Sequence, residues 1–136
     1  MTSLSVALHD ELLAVGMVPA HANLALTGGD APIHGSLTTD AGRTIVFPHS
    51  LAAEAGRDVR VEGPFRALEV AGPLDFSLTG VLASLLVPLA DVGISVFTLS
   101  TFDTDWILVP ADSAGKAADA LTAAGHTVEM TTEESR

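Results

Sequence analysis

Residues 72–109 read GPLDFSLTGVLASLLVPLADVGISVFTLSTFDTDWILV, and the order of elements in this stretch decides the fold. A polar loop, GPLDFS, leads into an apolar run in which Leu78, Leu82, Leu85 and Leu89 recur at helical spacing. The spacing predicts a helix over about 78–91, with Ser77 as its N-cap and Gly93 as its stop. Pro88 falls inside that run, where a proline costs about 3 kcal/mol and bends a helix. The β-branched residues of 94–101 predict a strand. Residues 105–109, apolar on both faces, predict a central one.

Upstream, residues 66–71 predict a strand with Leu68 and Val70 on one face. Downstream, Asp112 or Ser113 caps a helix to about residue 124, packed through Ala117, Leu121 and Ala124 and closed by Gly125. Residues 126–130 follow as a last strand. The order is β-α-β-β-α-β, the ferredoxin-like pattern in which two helices cover one face of an antiparallel sheet, so the fold class is α+β.

The first half is less sharply marked. Residues 4–16 fit either a short strand or a short helix ending at Gly16, because Leu4, Leu8 and Leu12 have helical spacing while Leu4, Val6 and Leu8 alternate. Residues 22–26 alternate weakly, and TGGDAP at 27–32 predicts a loop. Residues 33–39 and 43–47 predict a hairpin through a three-residue connection, Asp40-Ala41-Gly42, which Pro48 ends. His49-Ser50 caps a short helix, 51–55, ending at Gly56, and Val59 and Val61 alternate with Arg60 and Glu62 as a short edge strand. Gly63-Pro64 is the expected boundary: a unit at 1–63, a unit at 64–130 and a frayed tail at 131–136.

Composition excludes several classes. Hydrophobic residues make up 48% of the 136, enough to bury a core and to set disorder aside. The net charge of −11 leaves six cations, Arg43, Arg57, Arg60, Arg66, Lys116 and Arg136, too scattered to neutralise a run of phosphates. Nucleic-acid binding is not expected. The absence of cysteine removes disulfides and thiolate metal sites. The run 81–90 is too short to span a bilayer, and the N-terminus lacks a basic n-region, so neither membrane insertion nor a signal peptide is expected and the location is cytoplasmic. His9, His21, His34, His49 and His126 show no metal-ligand spacing, and no GxSxG, Walker A or dinucleotide fingerprint occurs. No metal, no cofactor and no catalytic residue is expected.

Residues 72–113 resemble the free-standing tandem ACT-domain proteins related to the arginine-sensing CASTOR proteins and to the ACT domains of aspartate kinases. The resemblance rests on GPLDFSLTG at 72–80, ADVGIS at 90–95 and STFDTDWILV at 100–109, and it covers about 64–130. The first half resembles the family more weakly, through GSLTTDAGRTIVFP, with TGGDAPIHG standing where bacterial relatives carry a tryptophan- and glycine-containing segment. It is taken as a degenerate ACT-like unit in tandem with the second.

The resemblance implies a non-catalytic regulatory module that binds a free amino acid. Carried to matching positions, it points to Asp75, Phe76, Ser77, Leu78, Thr79 and Gly80, and to Ser100, Thr101, Phe102, Asp103, Thr104 and Asp105. The chemistry agrees. Amides opening the helix suit a carboxylate, an aspartate suits an ammonium, and Gly80 admits close approach of a ligand. Folding alone also accounts for these residues: Ser77 as a cap, Asp103 as a turn former, Asp75 beside the helix dipole, Phe76 and Phe102 as core or seam packing. Partners implied are a free amino acid and a second copy or a regulated protein. The rival readings are a homodimeric scaffold without ligand and a small enzyme on a ferredoxin-like scaffold.

Overall fold

Valine and leucine alternating with small or polar residues dictate a chain built mostly of strands. The computed structural model describes residues 3–19, 31–55, 59–71 and 80–131. In chain order these form β1 (Ser5–His9), β2 (Leu13–Val18), β3 (Gly35–Thr39), β4 (Gly42–Pro48), a 3-10 helix (His49–Ala55) and β5 (Arg60–Val70). There follow α1 (Val81–Asp91), β6 (Phe97–Ser100), β7 (Asp105–Pro110), a 3-10 turn (Ala111–Ser113), α2 (Ala114–Ala123) and β8 (Thr127–Thr131). The segments 22–26 and most of TGGDAP lie outside the described residues. The chain divides into two compact units, residues 11–65 and residues 1–10 with 66–136.

This division departs from two consecutive parts meeting at Gly63-Pro64. Strand β5 runs unbroken through that dipeptide and supplies its first half to one unit and its second half to the other. Opposite β2 the register slips by one: Leu13 faces Phe65 while Val15 faces Glu62. Gly63-Pro64 thus occupies a β-bulge, a place where a strand tolerates a residue without an N–H.

In the unit of residues 11–65 the strand order is β3-β4-β2-β5, antiparallel throughout. Ala14, Val18, Ile45 and Phe47 form its core, with Leu51, Ala52, Val59 and Val61 packed against them. The helix expected at 51–55 is instead the 3-10 helix from His49. The expected hairpin is present but tighter, since Thr39 pairs with Gly42 and only Asp40 and Ala41 remain in the turn. Gly42 has φ +147, and a Cβ there would meet Val18 O at 2.8 Å.

In the second unit the order is β6-β7-β5-β1-β8. Residues 4–16 are therefore neither one helix nor one strand but parts of two strands, and Gly16 lies within β2. Strand β1 inserts between β5, to which it is antiparallel, and β8, to which it is parallel. The sheet is mixed for that reason, not wholly antiparallel as expected. Val6, Leu8, Leu68, Val70, Ile107 and Val109 point to one face, where Leu85 and Leu89 of α1 and Ala117 and Leu121 of α2 complete the core. Both helices thus cover one face, as read from the sequence. Strand β6 is shorter than the 94–101 run, because Ile94 turns into this core.

Helix α1 begins at Val81, with the left-handed Gly80 as N-cap and no side-chain cap. The expected cap Ser77 lies outside the described residues, and that role falls to Gly80. Gly93 ends the helix as expected, its N–H donating to Ala90 O at 2.9 Å. Pro88 remains inside the helix and cannot donate to the carbonyl of Ser84 four residues back. His126 Nε2 lies 2.9 Å from that carbonyl. Its Nδ1 accepts from the Leu4 N–H at 3.1 Å, which assigns the ring proton to Nε2. The imidazole, 4% exposed, so joins α1, the entry to β1 and the entry to β8.

Replacing His126 by Ala removes the side-chain partner of a partly buried carbonyl and of a partly buried amide, and is expected to cost about 1–3 kcal/mol in urea denaturation. Introduced into Pro88→Ala, where residue 88 regains an N–H for Ser84 O, the same change is expected to cost less, and equal costs in both backgrounds count against the assignment. Gly42→Ala is expected to lose more than about 1 kcal/mol, whereas Gly115→Ala in α2, where a Cβ meets nothing within 4 Å, is expected to gain up to about 1 kcal/mol by thermal melting.

Candidate functional site

Strands β6 and β7 are adjacent in sequence and pair antiparallel, so residues 101–104 must form a short connection with its polar atoms satisfied locally. Thr101 N–H donates to Thr104 O at 2.8 Å, and Thr101 Oγ1 donates to the same oxygen at 3.1 Å. The Thr104 N–H returns a bond to Thr101 Oγ1 at 3.2 Å. At the root of the hairpin, Ser100 faces Asp105 in register and its hydroxyl donates to Asp105 Oδ1 at 2.6 Å. Thr104 Oγ1 donates to the carbonyl of Val70, the last residue of β5, at 2.7 Å.

Of the twelve residues named from the sequence, the structure brings Ser100 to Asp105 and Thr101 to Thr104. Asp103 is exposed at the turn. Phe102 is 87% exposed, which overturns core packing for that ring within the chain. Gly80 opens α1 with φ +78, and space around it is open, since a Cβ would meet nothing within 4 Å. Residues 75–79, comprising Asp75, Phe76, Ser77, Leu78 and Thr79, lie outside the described residues. The Thr104–Val70 bond sets the turn at the end of the strand from which that segment follows.

A second polar group escaped the sequence reading. His9 Nε2 lies 2.8 Å from Glu69 Oε1, and the ring stacks on Trp106 at 5.5 Å between centroids. Arg66 Nε donates to His9 O at 2.9 Å. Sixty residues separate His9 from Glu69, and no spacing rule links them; only the β1–β5 register does, with Ala7 opposite Glu69. Among the described residues, no group of three or more His, Asp or Glu is gathered to hold a metal ion. No described helix is long and apolar enough to cross a membrane.

Residues 60–123 match the family model described as ACT domain, which bears out the resemblance read from residues 72–113. The mouse protein named cytosolic arginine sensor for mTORC1 subunit 1 is 36% identical over 91 residues, covering 63% of this chain and 25% of that protein. The human protein of the same name is 34% identical over the same shares. The chain thus aligns with about a quarter of the length of the curated relatives it matches. A crystal structure of a protein from Agrobacterium tumefaciens superposes with TM-score 0.83 at 27% identity, covering 96% of each chain. The regulatory subunit of aspartate kinase from Thermus flavus superposes with TM-score 0.63 at 16% identity, over 90% of this chain and 99% of that one, and shares the fold.

The Ser100–Asp105 bond lies on an exposed hairpin edge, where charge-assisted pairs contribute little. Asp105→Ala is therefore expected to shift stability by less than about 1 kcal/mol, followed through the fluorescence of Trp106, the only tryptophan. A loss several times larger would mean that Asp105 is a fold residue and not one available to a ligand.

Proposed function

We propose that this chain, with its ACT-domain match at residues 60–123, is a non-catalytic regulatory module that binds a free amino acid and passes that state to a partner. The observation that carries the reading is the hairpin turn at 101–104, fixed to the end of β5 by Thr104, with exposed Asp103 in the turn and half-exposed Asp105 at its root. The names of the arginine-sensing relatives and the aspartate kinase regulatory subunit support it.

In this reading Asp103 and Asp105 take the ligand ammonium, with Ser100 orienting Asp105. The first turn of α1 behind Gly80, which makes no side-chain cap bond, takes the carboxylate through its N–H groups. Asp75, Phe76, Ser77, Leu78 and Thr79 are proposed to line the same ligand, with Thr101, Phe102 and Thr104 completing the turn. The strand order β3-β4-β2-β5 places the first and third strands of a ferredoxin-like unit at the centre, which supports a second, degenerate ACT-like unit in tandem. The proposed setting is the cytoplasm, without nucleic acid, membrane or cofactor.

A scaffold reading has its own observation. Among the described residues, strands β6 and β8 each pair on one side only, so the second unit keeps two edges able to join another copy. Isothermal titration against each of the twenty amino acids tests the first reading, and light scattering with and without them tests the second. Binding by at least one is expected, weakened about tenfold or more by Asp105→Asn, which removes a charge-assisted bond. A folded sample that binds none, and whose oligomeric state ignores all of them, overturns the sensor reading in favour of the scaffold.

A further inference from the structure

We infer that Thr104 does not touch the ligand but is a positioning residue, clamping the turn at 101–104 to the end of β5. The inference rests on reading that turn as part of the ligand site, and it assigns work within it.

The β1–β5 ladder shows why a side chain is needed at this point. Val6 faces Val70, and the Ala71 N–H donates to Ser5 O at 2.8 Å. Hydrogen-bonded and non-bonded pairs alternate along an antiparallel ladder, so with residue 71 bonded to β1, the Val70 carbonyl points away from β1 toward β7. There it accepts from the Thr104 hydroxyl at 2.7 Å in a buried setting. The other polar atoms of Thr104 are engaged as well: its N–H donates to Thr101 Oγ1, and its carbonyl accepts from both Thr101 N–H and Thr101 Oγ1. Thr104 is 9% exposed, whereas Phe102 two residues earlier is 87% exposed. Every hydrogen-bonding group of Thr104 thus serves the frame, and the contact surface belongs to its outward neighbours.

Two variants of the full chain separate this role from a ligand contact. Thr104→Val removes the hydroxyl and keeps the shape; Thr104→Ser keeps the hydroxyl and loses the methyl. Amide hydrogen exchange is read at residues 71 and 101–104, with residues 107–109 in β7 as the control for intact folding. Losing a buried hydrogen bond is expected to speed exchange at 71 and 101–104 about tenfold or more in Thr104→Val, with Thr104→Ser within about threefold of the parent. Unchanged exchange in Thr104→Val overturns the clamp. Should Thr104→Val fail to fold, the decision passes to Thr101→Val, which breaks only the bonds inside the turn. The clamp then requires faster exchange at 102–104 with residue 71 still protected, and loss of protection at 71 overturns it.

Titration of the same variants with the twenty amino acids keeps this test apart from the sensor reading. If the parent binds one, Thr104→Val is expected to weaken it about tenfold while leaving the preference among amino acids unchanged, and Thr104→Ser to restore it. A changed order of preference makes Thr104 a contact residue and overturns the inference. If the parent binds none, the sensor reading fails and the exchange experiment alone decides the clamp.

Discussion

The imidazole of His126 satisfies a carbonyl that the sequence of α1 strands. Pro88 has no N–H to return to Ser84, and a carbonyl wholly cut off from a partner costs about 1–3 kcal/mol, which this partly buried one approaches as water is excluded. Nε2 of His126 supplies the missing donor, and Nδ1 holds the amide of Leu4. Around this pair the Ser3 hydroxyl reaches Gly125 O at 2.7 Å, and the Thr127 N–H reaches Leu4 O at 2.9 Å. These bonds add to the two ladders that hold β1 between β5 and β8, and Val6 and Leu8 of β1 complete the core.

That arrangement changes how the β-α-β-β-α-β plan is built. A ferredoxin-like unit would set its first and fourth strands side by side; here β5 and β8 hold those positions and the chain's own beginning separates them. Among the described residues the second unit therefore has five strands, and its fold draws on β1 (Ser5–His9), far before its main segment at 66–136. Strand β5 continues through the bulge at Gly63-Pro64 without ending.

The hairpin between β6 and β7 follows the same logic on a smaller scale. Its threonines and serine spend their hydroxyls on the turn, on Asp105 and on Val70, leaving the aspartates and Phe102 to face outward. A polar stretch that reads as a row of ligand contacts divides into a frame and a surface. Sequence spacing does not make that division, since serine and threonine suit both roles.

Local rules sufficed for the second half of the chain: the leucine spacing of α1, its stop at Gly93, the β6–β7 hairpin, α2 with its closing Gly125, and the face that both helices cover. Each depends on neighbours within a turn or a strand, where periodicity and cap chemistry act. The resemblance to ACT-domain proteins was legible in the same stretch. Residues 4–16 were not, because their alternation and helical spacing compete, and only their partners, β5 and β8 for β1 and β4 and β5 for β2, select two strands. Nor were the partner of Pro88, the continuity of β5 through a proline, and the inward engagement of Thr104. Each of these is settled by a pairing between residues that the chain brings together only on folding: the hydrogen bonds of Ser84 with His126 and of Val70 with Thr104, and the register of Leu13 against Phe65 beside the bulge.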